Sequence, residues 1–220
     1  MGLAIYKNTN YSGYDKNHKE REALDYYATS PEEVVNILEY LDINLDKQVI
    51  LEPCCGGLHM VKGIINYCEM NNQKPNIYAT DIKKRDWVDI QTDIETHIDT
   101  GIQCDVLSDT YNSEEIDYVI MNPPYSVIEP FTMKMLSIAN KGILMLARLQ
   151  FLEGQGRYEN IFKEYKPSDI WVYVDRITCY KNGDFSKKES SAQAYCWVYF
   201  DMENLNGEPR LHWMRRADKK

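Results

Sequence analysis

Short apolar runs that alternate with longer segments of helical period constrain this chain most. The runs "QVILE" (48–52), "NIYATD" (76–81), "GIQCD" (101–105), "IDYVIM" (116–121) and "GILMLARL" (142–149) are rich in apolar residues. Such runs suit strands buried on both faces of a parallel sheet. Between them, "SPEEVVNILEYL" begins at Ser30, places Pro31 at the first helical position and two glutamates in the first turn, and spaces Val34, Ile37, Leu38 and Leu41 along one helical face. "HMVKGIINYCEM" (59–70) and "VIEPFTMKMLSIAN" (127–140) read as further helices. Two late β-rich runs, "DIWVYVD" and "AYCWVYF", are joined by a polar connection without a helix, which predicts antiparallel pairing at one side of the sheet. The expected fold is α/β: a single αβα-sandwich domain, Rossmann-like, around a seven-stranded, mostly parallel sheet with one antiparallel strand. A polar arm (1–24) is expected to precede the domain (25–204), and a short tail (205–220) to follow it.

Bulk properties narrow the function. The 220 residues fit one domain with a real core, and 44% hydrophobic with 27% charged residues is ordinary for a globular protein. The N-terminus lacks an apolar signal region and no run approaches a membrane span, so the expectation is a soluble, cytoplasmic protein with no membrane partner. Six cysteines and four histidines show neither C-x-x-C nor H-x-x-x-H spacing; reduced core thiols are expected, and no metal. A net charge of -9 excludes nucleic-acid binding by bulk electrostatics. Any such contact is local, with Lys187-Lys188 and the tail "MRRADKK" as the basic clusters.

In a parallel sheet, ligands bind beyond the carboxyl ends of the strands. Four predicted strand ends carry acidic or turn residues: Glu52, Asp81, Asp105 and Asn122. "PCCGGLHM" after Glu52 is a small-residue turn before a helix, where a ligand can approach the backbone. Asp81 stands where a carboxylate commonly accepts hydrogen bonds from a ribose diol, although it would also serve as a helix N-cap. Neither G-x-G-x-x-G nor G-x-x-x-x-G-K-[ST] occurs, so a ligand with ribose and adenine but no phosphate fits better, such as S-adenosylmethionine.

"IDYVIMNPPYS" (116–126) ends an apolar run with more breakers than a turn needs. Asn122 and Pro123 each precede a proline, which pushes both toward extended conformations, while the rings fix φ at 123 and 124. The tetrapeptide is a stiff holder for two acceptors, the Asn122 carboxamide oxygen and the Pro123 carbonyl, directed at one exocyclic NH₂. Two such acceptors favour a pyramidal nitrogen with its lone pair toward a methyl donor, and no general base is required. Tyr125 would offer a face for a planar substrate.

With these residues, the chain resembles adenine-N6 DNA methyltransferases, from about Tyr26 to Phe200, with "NPPY" as the most specific motif and a gamma-like motif order. The short form is similar to phage-borne and orphan enzymes, in a bacterial or phage-infected cell, related to restriction-modification. The resemblance implies that "YYATSPEEVV" contributes Thr29 and Tyr27 to the cofactor's methionine end. It also implies that "LEPCCGG" contributes Glu52, Pro53, Cys54 and Gly56, that Asp81 holds the ribose with Ile82 against the adenine, and that Asp105 binds the adenine amino group. Leu58 takes the place of the loop's second glycine. Catalysis would rest on Asn122, Pro123, Pro124 and Tyr125, with a flipped adenine of duplex DNA as substrate. "GDFSKKESSAQAY" is similar to the hairpin whose aromatic stacks on that base, here Phe185, with Lys187 and Lys188 for phosphate. Only some twenty residues follow Phe200, so target recognition would come from the arm, the loops, a partner subunit or a homodimer. RNA adenine-N6 or protein glutamine methylation, whose substrates also present a conjugated NH₂, and a non-catalytic subunit remain alternatives.

Overall fold

The computed structural model describes residues 5–6, 26–83, 85, 92, 97–111, 115–186 and 193–219. Eight strands form the central sheet: β1 (Val49–Glu52), β2 (Asn76–Asp81), β3 (His97–Gln103), β4 (Tyr118–Met121), β5 (Gly142–Arg148), β6 (Asp169–Tyr173), β7 (Tyr195–Asp201) and β8 (Arg210–Met214). Their spatial order is β8-β6-β7-β5-β4-β1-β2-β3. All neighbours pair parallel except β7, which is antiparallel to both β5 and β6. The antiparallel pairing of the two late runs follows the expectation, with Trp197 opposite Trp171.

The strand count differs from the expected seven because β8 lies within the segment read as a tail. "RLHWM" has only two large apolar residues in alternation before Met214, and both are exposed, so it carries little burial signal. Backbone pairing with β6 holds it, together with Asp169, which accepts from Arg210 Nε and Nη2 (2.8 and 2.7 Å) and lies 2.7 Å from His212 Nε2. The following residues dock on the first helix: Asn36 Nδ2 donates to Arg215 O, and Ala217 N donates to the buried Glu33. Glu33 also accepts from Tyr173 OH, which in turn accepts from Trp197 Nε1. Burial raises the Glu33 carboxyl above its ordinary value against these hydrogen bonds.

Helices α1 (Pro31–Leu41) and α2 (His59–Met70) pack on one face of the sheet, and α3 (Ile128–Leu136) belongs to the core on the other. Ser30 sits extended at the N-cap, as the sequence predicts, but its hydroxyl donates to Glu32 and does not cap a backbone N–H. Outside the main sheet, Tyr27–Ala28 pairs antiparallel with Tyr180–Lys181, and Ile5–Tyr6 with Thr110–Tyr111. Of the expected arm, all but Ile5 and Tyr6 lies outside the described residues. The described cysteines are all free, and burial pushes the Cys68, Cys104, Cys179 and Cys196 thiols up to about 12. No described helix is long and apolar enough to cross a membrane.

Close approach of α1 to α2 depends on Gly63, where an added Cβ would stand 2.5 Å from Val34 Cβ and 2.7 Å from Pro31 O. Gly→Ala in a helix ordinarily stabilises by roughly 0.5–1 kcal/mol. At this contact the overlap wins, and Gly63→Ala is expected to destabilise by about 1–3 kcal/mol in urea unfolding. An unchanged or higher midpoint would contradict this packing.

Candidate active site

The chain places β2 and β3 on one side of β1 and β4 on the other, so strand order reverses between β1 and β4. A crevice opens at the carboxyl ends of such a pair. The cavity there measures about 630 Å³, within the roughly 300–1,000 Å³ range of small-molecule sites. Its walls include Tyr27, Thr29, Glu52, Pro53, Cys54, Asp81, Ile82 and Asp105, with Asn122, Pro123, Pro124 and Tyr125 at one end.

Gly56 does not line the cavity, but it shapes the loop that does. Its φ is +50°, and its N–H donates to Asp81 Oδ2 at 2.8 Å. A Cβ there would meet Tyr26 Cε2 at 2.1 Å. Leu58 keeps the left-handed conformation expected of a glycine in its place, with φ 66° and ψ 19°, and its buried side chain joins the core. Burial of a Leu, worth about 1.5–3 kcal/mol, outweighs the roughly 1–2 kcal/mol conformational cost.

Asp81 fixes the end of β2. Besides the Gly56 N–H it accepts from Lys83 N at 2.8 Å, and Arg85 Nε lies 3.8 Å away. Asp105 Oδ1 accepts from Leu107 N, while its own N–H donates to Asp109. Glu52 is buried and accepts from Cys54 N at 3.1 Å, and the Cys54 thiol lies 3.3 Å from both Glu52 Oε1 and Asn122 O. That thiol joins the ends of β1 and β4. Four acidic residues, Glu52, Asp81, Asp105 and Asp109, against two cations, Lys83 and Arg85, make this wall suited to a cationic ligand.

The Asn122 carboxamide has a defined orientation. Its Nδ2 is 2.6 Å from Tyr27 O and 3.1 Å from Thr29 Oγ1. A backbone carbonyl only accepts, so the nitrogen faces the Tyr27 strand and Oδ1 faces the other way. There Oδ1 accepts from Tyr125 OH at 3.2 Å. Pro124 has the φ of -59° that its ring fixes, with an extended ψ of 124°. The Tyr125 ring is covered by the Arg148 guanidinium at 4.1 Å, with Tyr27 and Tyr195 tilted at 6.0 and 6.2 Å. One Tyr125 face is therefore already occupied, and burial raises its hydroxyl pKa.

Phe185 is not a cavity wall. Its ring stacks on Tyr180 at 4.3 Å and leans on His59 at 4.8 Å, leaving it 39% exposed. Lys187 and Lys188 lie outside the described residues. Among the described residues no cluster of His, Cys, Asp and Glu is arranged to hold a metal ion.

Sequence reasoning missed Tyr26, Arg85, His59 and Arg148. Tyr26 OH accepts from Gly57 N at 2.8 Å and lies 3.1 Å from His59 Nδ1, while Arg85 stacks on its ring at 4.4 Å. Burial lowers the His59 pKa, favouring the neutral ring. Arg148 ends β5, so the strand-end rule that found the carboxylates would have found it too. Tyr26 gave no local signal.

No family model matches the sequence, and no curated protein is similar to it. Solved structures show the fold. A Listeria monocytogenes protein described as a class I S-adenosylmethionine-dependent methyltransferase aligns with 94% of this chain and 68% of its own, at TM-score 0.55 and 11% identity. A Lactococcus lactis protein described as a hemolysin covers 89% and 96%, at 0.57 and 10%. A type I restriction-modification methyltransferase subunit from Streptococcus thermophilus covers 89% and 48%, at 0.58 and 10%, so this chain spans about half its length. The fold is that of class I methyltransferases, as the sequence led us to expect.

Burial, opposed by the Cys54 contacts and reinforced by Asp81, pushes the Glu52 carboxyl up to about 8 from 4.5. The folded chain thus favours protonated Glu52. That stabilisation is complete below about pH 4.5 and is lost as pH rises through about 8. Glu52→Gln keeps the neutral shape, so between about pH 5 and about pH 8.5 the ligand-free wild type should lose on the order of a few kcal/mol more stability than the variant. Equal pH dependence of the two in urea unfolding would contradict the assignment.

Proposed function

We propose that the protein transfers the methyl group of S-adenosylmethionine to the exocyclic N6 of adenine in DNA. The observation that carries this reading is the Asn122 carboxamide, whose nitrogen is engaged by Tyr27 and Thr29 so that its oxygen is presented as an acceptor beside the cavity. The donor set fits the cofactor. The Asp81 oxygens, each with one backbone partner, keep lone pairs for two ribose hydroxyls, Asp105 stands ready for the adenine amino group, and Ile82 supplies an apolar wall. Glu52 and the Thr29 segment surround the methionine end, where positive charge favours the acidic wall.

When bound, S-adenosylmethionine would supply an electrophilic sulfonium methyl, whose transfer would break the S–CH₃ bond, leave a neutral thioether and release one N6 proton to solvent. Asn122 Oδ1 and the Pro123 carbonyl accept the two hydrogens of the substrate NH₂, which reduces delocalisation of the nitrogen lone pair into the ring. The double proline holds both acceptors, so little reorganisation is needed. Tyr125, which lines the cavity, provides the stacking surface, and the target adenine must leave the helix to reach it. Phe185 stands at the rim through His59, a position from which it can meet an extruded base after rotating off Tyr180.

DNA is favoured over protein glutamine by the "LEP" opening at the end of β1 and the helix-initiating "ATSPEE" segment, and by the fold likeness to a type I restriction-modification methyltransferase subunit. That protein is described as one subunit of a restriction-modification system, and target recognition with a partner chain forms part of the proposal. The expected test outcome is that Asn122→Ala binds S-adenosylmethionine by calorimetry as wild type does, yet transfers label to methyl-free duplex DNA about 10²–10³-fold more slowly. Wild-type transfer by the variant would overturn the mechanism.

A further inference from the structure

At the far edge of the sheet, among the described residues, a pairing surface has no partner. Among the described residues β8 has one neighbour, β6. Arg210 N donates to Ser168 O and Met214 O accepts from Val174 N, so Arg210, His212 and Met214 turn their backbone groups toward β6. The N–H and C=O groups of Leu211 and Trp213 consequently point out from the edge. Natural edge strands are usually blunted by Lys, Pro or a bulge. Here Pro209 precedes the strand, and the strand itself exposes Leu211 (52%) and Trp213 (66%). By register these two share a face with Ile170 and Val172 of β6, and the exposed Val174 continues it.

The edge is complementary to itself. A two-fold axis through His212 sets Leu211 opposite Trp213 of a second copy, and Trp213 opposite its Leu211. These are the positions with outward backbone groups, so each pair exchanges both N–H···O bonds. Large apolar side chains then meet across the strands. Beyond the strand ends the same axis brings Glu208, which pairs with Lys166 in its own chain, near Arg216, which pairs with Asp218, so opposite charges face each other across the seam. Neighbouring registers fit worse: an axis on Leu211 puts Pro209, without an N–H, opposite Trp213, and an axis on Trp213 sets Leu211 against Arg215, beyond the end of β8 and with its carbonyl already bonded to Asn36. The positive charge of Arg210 is already matched by Asp169, so it adds no repulsion at the seam.

We propose that the protein forms a two-fold dimer through antiparallel pairing of β8 with β8 of a second copy, centred on His212 and packed on Leu211 and Trp213. This contact is isologous and lies at the sheet edge away from the β1–β4 cavity, so it does not depend on the proposed reaction.

Sedimentation equilibrium of the full chain tests it. Wild type should reach twice the 25.8 kDa chain mass as concentration rises, and Leu211→Lys/Trp213→Lys should stay at 25.8 kDa with an unchanged circular dichroism spectrum. E208R should weaken the dimer roughly tenfold and E208R/R216E should restore it, a comparison that still decides if the lysine variant fails to fold. A wild type that remains monomeric, or a dimer indifferent to both sets of variants, would overturn the proposal.

Discussion

Parallel pairing of β1 with β4 is the constraint on which the rest depends. It joins strands nearly seventy residues apart, places Leu51 beside Val119, and creates the point where strand order reverses. Everything proposed to act chemically lies just beyond these two ends. The Cys54 thiol spans from one to the other, and the Asn122 carboxamide reaches on to the Tyr27 strand. A displacement of either strand would separate the acceptor pair from the carboxylate wall.

The site is also an electrostatic compromise. Glu52 and Asp81 are both buried, which is costly for charged groups unless hydrogen bonds or neutralisation offset it. Asp81 uses backbone N–H donors from its own turn and from the Gly56 loop. Glu52 has fewer donors and responds by holding its proton. A cationic ligand beside this wall would favour ionised Glu52, which couples ligand binding to proton release.

Much of this architecture was legible in the sequence, for physical reasons that differ by element. The continuous apolar runs of β1, β2, β4 and β5 announced burial on both faces, and α1 and α2 announced themselves by period. Strand-end residues Glu52, Asp81, Asp105 and Asn122 gather in one cavity because parallel strands all end on the same side. β8 was not legible, since its exposed Leu211 and Trp213 leave no trace of burial and its hold on β6 is mostly backbone. Tyr26 was missed because its role arises from stacking and contact across distant segments, whereas Arg148 stood at a strand end where the same rule applies. The left-handed Leu58 shows a glycine conformation maintained by burial of a larger side chain, which no spacing rule reveals.

The most direct measurement is the identity of the methylated product. The protein would be incubated with isotopically labelled S-adenosylmethionine and methyl-free duplex DNA, and the DNA digested to nucleosides for mass spectrometry. The predicted result is label in N6-methyladenine and in no other nucleoside. Cofactor binding without labelled N6-methyladenine, or label in a cytosine derivative, would contradict the proposed reaction.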